Sequence, residues 1–187
     1  MRVIAGEFRS RRLRSVPGDA TRPTPDRLRE TLFNILAPRM AGVTFADAYA
    51  GTGAVGIEAL SRGASHAWFF ERDRAALDAI RGNLADLKVE ARATVVKGPV
   101  LLKLSQHAAG IVFLDPPYDQ EREYAAALEL LAETPPPLVV VQHSIRFHLK
   151  PQYGPLAQTR ALRQGDNALS FYAPDAVGNM MEDRVSE

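Results

Sequence analysis

The chain has 187 residues, with 23 Lys+Arg, 22 Asp+Glu and no cysteine. That length fits one domain, or one domain with a small appendage, and is enough to bury a substantial core. The lack of cysteine excludes disulfides, thiolate metal sites, iron–sulfur clusters and a cysteine nucleophile.

No apolar run approaches the roughly 20 residues that a membrane helix needs, and the opening Met1–Glu7 does not read as a signal peptide. A soluble, cytoplasmic protein is expected. The overall charge of +1 hides an asymmetry: residues 1–40 hold nine arginines, no lysine and four acids, a surplus of five, which leaves −4 for the rest. Guanidinium groups match phosphate oxygens and stack on bases. A basic arm on a slightly acidic body is a footprint for a polyanion, although a merely solvated arginine-rich face has the same composition.

Residues 1–20 alternate weakly (Val3, Ala5, Phe8) before the break Pro17-Gly18-Asp19, which predicts a basic N-terminal arm or small hairpin. Thr24-Pro25-Asp26 is a helix start, with a capping Thr, Pro in the first turn and an acid behind it. Leu28, Leu32, Ile35 and Leu36 continue it at helical spacing until Pro38. A strand over Val43–Ala48, a Gly-rich turn and a helix to about Arg62 come next. Strands are then predicted over Ala67–Phe70, Ala93–Val96, Ile111–Leu114 and Leu138–Gln142, with helices over Arg74–Leu87 and Glu121–Glu133 between them. Such alternation predicts an α/β, Rossmann-like doubly wound sheet, mostly parallel. Thr159–Arg163 and Leu169–Tyr172 flank Gly165-Asp166-Asn167 and predict an antiparallel hairpin at the C-terminal edge. The domain is expected over 21–174, and 175–187 has too little to bury to be ordered.

Asp47-Ala48-Tyr49-Ala50-Gly51-Thr52-Gly53-Ala54-Val55-Gly56 places a G-x-G-x-x-G turn between a strand and a helix. Glu71 ends the next strand, 20 residues after Gly51, where a carboxylate can accept ribose hydroxyls. These features predict an adenosine-containing ligand over the strand ends. Asp47 would repel a pyrophosphate but favour a cationic amino-acid end, so the pattern favours S-adenosylmethionine over NAD.

Asp115-Pro116-Pro117-Tyr118 follows the fourth strand on the same sheet edge. With average residue usage such a tetrapeptide arises by chance in about one chain in a thousand of this size. Two prolines remove two backbone donors and leave a stiff loop rich in acceptors. The Asp115 carboxylate and the Pro116 carbonyl are placed to take both hydrogens of an exocyclic amine, turning its lone pair toward a methyl group, while Tyr118 stacks on the base. The four histidines show no metal-ligand spacing, so no metal is expected. His143, near the presumed site, is a candidate polar contact to RNA.

Together, these motifs resemble a class I S-adenosylmethionine-dependent methyltransferase acting on an exocyclic amine. Met1-Arg2-Val3-Ile4-Ala5-Gly6, the run from Thr21 to Leu36 and Gly165-Asp166-Asn167-Ala168-Leu169-Ser170-Phe171-Tyr172 narrow it. They are similar to the bacterial family that methylates N2 of a guanine in 16S rRNA. The resemblance spans Met1 to Tyr172 and implies a sheet of seven strands. It implies a substrate within the small ribosomal subunit or a late assembly intermediate and S-adenosylhomocysteine as product; nothing in the sequence suggests more than a monomer. It also implies that Asp47, Gly51, Thr52, Gly53, Glu71, Arg72, Pro99, Val100 and Asp115 bind the cofactor. Asp115, Pro116 and Tyr118 would hold the guanine, and Arg2, Arg9, Arg11, Arg12, Arg14 and Arg22 the RNA phosphates.

Three positions depart from the family pattern: Pro99 in place of an acid that meets the adenine amine, Gln142 in place of Glu before His143, and Gln164 in place of Tyr. The rival readings are an N6-adenine methyltransferase on DNA or RNA, and a nonenzymatic RNA-binding ribosome assembly factor.

Overall fold

The structure, a computed structural model, describes residues 1–16, 26–117 and 120–175. Thr24 and Pro25 of the expected helix start, Arg22, Tyr118 and nearly all of the 175–187 segment lie outside the described residues. Helix α1 (Asp26–Leu36) leads into β1 (Thr44–Ala48), α2 (Ala54–Ser61), β2 (His66–Glu71), α3 (Arg74–Leu87) and β3 (Ala93–Lys97). A four-residue α4 (Val100–Lys103), β4 (Ile111–Leu114), α5 (Glu121–Glu133) and β5 (Leu138–Ser144) complete the alternating part. The chain ends in β6 (Gln152–Tyr153), β7 (Leu156–Gln164) and β8 (Asn167–Pro174).

These strands form one sheet in the order β3-β2-β1-β4-β5-β8-β7-β6. The first five are parallel, whereas β6, β7 and β8 pair antiparallel. The mostly parallel sheet with its antiparallel C-terminal hairpin is the expected one. The two-residue β6 extends its edge to eight strands. Neither β6 nor α4 is long enough to show a periodicity. The spans of α3, β4 and α5 coincide with those predicted, and the longer strands differ by a few residues at their ends.

Alternation along each strand divides the core between two faces. Ala46, Ala48, Val112, Leu114, Val139 and Val141 pack against Tyr124, Leu128 and Leu131 of α5. Phe45, Ile111, Phe113 and Val140 meet Leu28, Leu32, Phe33 and Leu36 of α1 together with Val55 and Ala59 of α2. Every residue of β4 is buried, which is why that strand reads as an unbroken apolar run. The strand order reverses between β1 and β4, and this switch point opens a crevice at the carboxyl ends of both strands.

The N-terminal arm is docked rather than free. Its one antiparallel bridge pairs Arg2 with Arg12, and Val3, Phe8 and Leu13 enter a core with Ile57, Leu60, Phe69, Ile80 and Leu84. Buried Glu58 of α2 accepts the Ile4 N–H at 2.8 Å and the Ala5 N–H at 3.0 Å, and its carboxylate also meets Arg62 at 2.8 Å. Glu58 therefore staples the arm to α2. No described helix is long and apolar enough to cross a membrane, and no group of three or more His, Asp or Glu among the described residues is placed to hold a metal ion.

Candidate active site

Asp47, the penultimate residue of β1, lies beside the switch point and is 2% exposed. Its Oδ2 accepts the Gly56 N–H of the first turn of α2 at 2.8 Å. An amide in the first turn of a helix lacks an intrahelical partner, so the carboxylate both satisfies it and ties the strand to the helix across the glycine turn. Burial pushes the Asp47 carboxyl up to about 7; the Gly56 N–H opposes that rise and the charge of Glu71 adds to it.

The turn itself needs its glycines. Gly51 has φ +54°, and the direction of a side chain there is open, with nothing within 4 Å. The turn thus leaves bare backbone facing open space at this position. At Gly56 the demand is proximity: a Cβ would lie 2.3 Å from Phe69 Cε1, so only glycine lets α2 pack this closely on β2. Gly53, at φ +79°, heads α2.

Glu71, half-buried at the end of β2, closes the turn from the other side. Its Oε2 accepts the Gly51 N–H at 2.8 Å, while Oε1 accepts the amides of Arg72 at 2.7 Å and Asp73 at 2.9 Å. A carboxylate offers about four lone-pair sites. One remains, so capture of two ribose hydroxyls requires release of the Gly51 N–H. The donor set fits an adenosine ligand with a cationic end: carboxylates lie at both strand ends, and no Lys or Arg occurs from Asp47 to Gly56.

Asp115 and Pro116 follow β4 directly, one strand from Asp47, with Asp115 half-buried and Pro116 buried. The Pro116 carbonyl accepts the Tyr124 hydroxyl at 3.0 Å. The neighbouring Glu123 accepts the Tyr49 hydroxyl at 2.7 Å. Tyr49 lies in the glycine turn and adopts φ +83°, a left-handed conformation that costs a non-glycine residue free energy. Burial, reinforced by the Glu123 hydrogen bond, raises the Tyr49 hydroxyl far above its ordinary pKa.

The other expected site residues are distributed unevenly around this cleft. Thr52 is buried, and its hydroxyl faces Met1 Sδ at 3.8 Å, toward the arm. Arg72 is exposed beside Glu71. Exposed Pro99 precedes α4 and provides no side-chain cap, and buried Val100 packs with Ala48 and Phe70. His143 is not an open RNA contact: it is 6% exposed, its Nδ1 pairs with the Ser144 carbonyl and its Nε2 with Ser170 Oγ, each at 2.9 Å. Burial lowers its pKa, opposed by its backbone hydrogen bonds.

On the arm, Arg2, Arg9, Arg11, Arg12 and Arg14 are exposed. Two of them already have protein partners, since Arg14 forms a two-pronged pair with Asp86 at 2.9 Å and Arg11 donates to the Asp86 carbonyl at 2.9 Å. Asn83, absent from the expected set, joins arm to glycine turn: it accepts the Arg14 N–H at 2.6 Å and donates to the Thr52 carbonyl at 3.0 Å. Tyr49, Glu123 and Tyr124 likewise lie outside the expected set. The only sequence signal for the last two is their place in the first turn of the helix that follows the Asp115 loop.

A family model described as "Conserved hypothetical protein 95" matches residues 1–173. The chain belongs to this family. Similar proteins include YlbH of Bacillus subtilis, named provisionally as an rRNA methyltransferase, at 36% identity over 92% of this chain and 98% of that protein. The ribosomal RNA small subunit methyltransferase D of Escherichia coli is 44% identical over 63% of this chain and 60% of its own length. Among solved structures, yhhF of Escherichia coli, provisionally a methyltransferase, superposes with a TM-score of 0.83 at 35% identity, covering 94% of this chain and 98% of that one. An RNA methyltransferase of Salinibacter ruber, solved with S-adenosyl-L-homocysteine, shares the fold at a TM-score of 0.64 and 16% identity, over 83% of this chain and 95% of its own. The bacterial 16S rRNA methyltransferase family read from the N-terminal, glycine-turn and Asp-Pro-Pro-Tyr motifs is thus the one to which the chain belongs.

Proposed function

We propose that this chain transfers a methyl group from S-adenosylmethionine to the exocyclic N2 of a guanine in the 16S rRNA of the small ribosomal subunit. One observation carries the reading: the acceptor ledge of Asp115 and Pro116 stands one strand from the glycine turn, across the switch point. Methylation of rRNA is supported by the names of family members, and S-adenosylmethionine by the donor set of the cleft. The choice of guanine N2 rests on the ledge and the N-terminal motifs.

S-adenosylmethionine supplies a methyl group on a positively charged sulfur, already electrophilic. The chain's task is alignment and electrostatics. Gly51 and Gly53 would bring backbone close to the methionine portion, Asp47 would support the turn at its cationic end, and Glu71 would take a ribose hydroxyl. The Asp115 carboxylate and the second lone pair of the Pro116 carbonyl hold the two hydrogens of the guanine amine, which draws its nitrogen out of conjugation. That nitrogen forms the new bond to carbon as the carbon–sulfur bond breaks and sulfur keeps the electron pair. The surplus proton passes to Asp115 or to water. Tyr118 stacks on the base, a contact worth about 1–3 kcal/mol, and the arm arginines hold phosphates.

The experiment is methyl transfer from a labelled donor to small subunits, naked 16S rRNA and duplex DNA in parallel. Label in rRNA, strongest with subunits or late assembly intermediates, is expected; label in DNA supports the adenine reading instead. Pro99, which removes an acid from the adenine pocket, favours the assembly-factor reading. Calorimetry that finds no S-adenosylmethionine binding, even with subunits present, would establish that alternative.

A further inference from the structure

The first turn of α5 holds both halves of the cleft. Tyr124 is 1% exposed and its ring packs on Phe147 with centroids 5.0 Å apart, so the hydroxyl that meets the Pro116 carbonyl has little freedom. Proline fixes its own φ but not its ψ, and the ψ of Pro116 decides where its carbonyl points. The following Pro117 limits that angle to an extended range without selecting one value. The hydrogen bond from Tyr124 makes the selection and leaves the second lone pair for a ligand. One residue earlier, Glu123 holds the Tyr49 hydroxyl, and Tyr49 is the strained, left-handed residue two positions before Gly51. Strain of that kind persists only where the surroundings impose it.

We propose that Glu123 and Tyr124 are positioning residues, which set the acceptor ledge and the cofactor turn at the separation that in-line transfer needs. The inference rests on the methyltransferase reading above. A rigid turn of helix measures the distance between the two loops. A geometric error of about 1 Å can cost a hundred-fold in rate even when binding persists.

The test is steady-state methylation of small subunits by the full chain and its variants. Tyr124→Phe keeps the ring and removes the hydroxyl. It is expected to lower kcat about ten- to hundred-fold while KM for S-adenosylmethionine stays within about two-fold and the melting temperature within a few degrees. Glu123→Gln keeps an acceptor for Tyr49 and should retain most activity; Glu123→Ala should lose it. Should Tyr124→Phe fail to fold, Tyr49→Phe, at a half-buried position, tests the same turn and should also lower kcat. Wild-type transfer with unchanged kcat in both Tyr124→Phe and Glu123→Ala overturns the positioning role alone. No transfer by the wild type overturns the functional reading and this role with it.

Discussion

The Asp47 carboxylate and the Gly56 amide meet at 2.8 Å in a site where Asp47 is 2% exposed. This bond joins the penultimate residue of β1, just before the glycine turn, to the helix after it. It also creates a pH dependence, because burial raises the Asp47 carboxyl from an ordinary 3.8 to about 7. In the unfolded chain that group loses its proton near pH 4; in the folded chain it keeps the proton to near pH 7. Folded protein therefore binds more protons between these values, and stability falls as pH rises through them. Asp47→Asn is neutral throughout and still accepts from Gly56. Denaturation at pH 4 and pH 8 should show the variant gaining on the wild type at the higher pH by an amount on the order of a few kcal/mol. Parallel stability curves would contradict this assignment.

Asp115→Ala removes a holder of the target amine and leaves the glycine turn intact. Methyl transfer should fall by at least about a hundred-fold, with S-adenosylmethionine affinity by calorimetry within a few-fold of wild type. Equal losses in rate and affinity would mean that Asp115 serves the cofactor rather than the amine.

The arm arginines separate by their existing partners. Arg14 already pairs with Asp86, whereas no salt bridge among the described residues involves Arg9 or Arg12. Replacing Arg9 or Arg12 by Ala should reduce the salt slope of subunit binding by about 0.7–0.9 each, and Arg14→Ala by less. Identical slopes across all three variants and the wild type would make the arm a solvated surface.

Glu58 gives the arm its attachment. It is fully buried, and its carboxylate receives two arm amides and Arg62, with Arg29 at 3.9 Å. Glu58→Ala removes the acceptor of the two arm amides and the buried anion beside Arg62 and Arg29, and should cost about 3–5 kcal/mol, read as a lower urea midpoint. A change below about 1 kcal/mol would show that the cluster relaxes around the loss.

Much of this architecture is legible in the chain because it depends on local periodicity. Leu77, Ile80, Leu84 and Leu87 mark the buried face of α3, and Ile111–Leu114 marks a central strand, without reference to the rest of the molecule. The twenty-residue interval from Gly51 to Glu71 likewise corresponds to a real hydrogen bond. What escapes is long-range and polar. Nothing near Tyr49 signals that a tyrosine there takes a left-handed φ, because the partner that holds it, Glu123, lies 74 residues away. Nor does an arginine count reveal that Arg14 is committed to Asp86, or that Asn83 binds the arm and the glycine turn together. His143 shows the same limit: its place at a strand end suggested an open polar contact, and the Ser170 hydroxyl across the sheet encloses it.

The most direct measurement is the identity of the product nucleoside. Small subunits that lack the modification are incubated with labelled S-adenosylmethionine and the protein, and their 16S rRNA is digested and resolved by mass spectrometry. The account predicts a single labelled product, N2-methylguanosine, that disappears with Asp115→Ala. N6-methyladenosine, a ribose methyl or an unlabelled digest would contradict it.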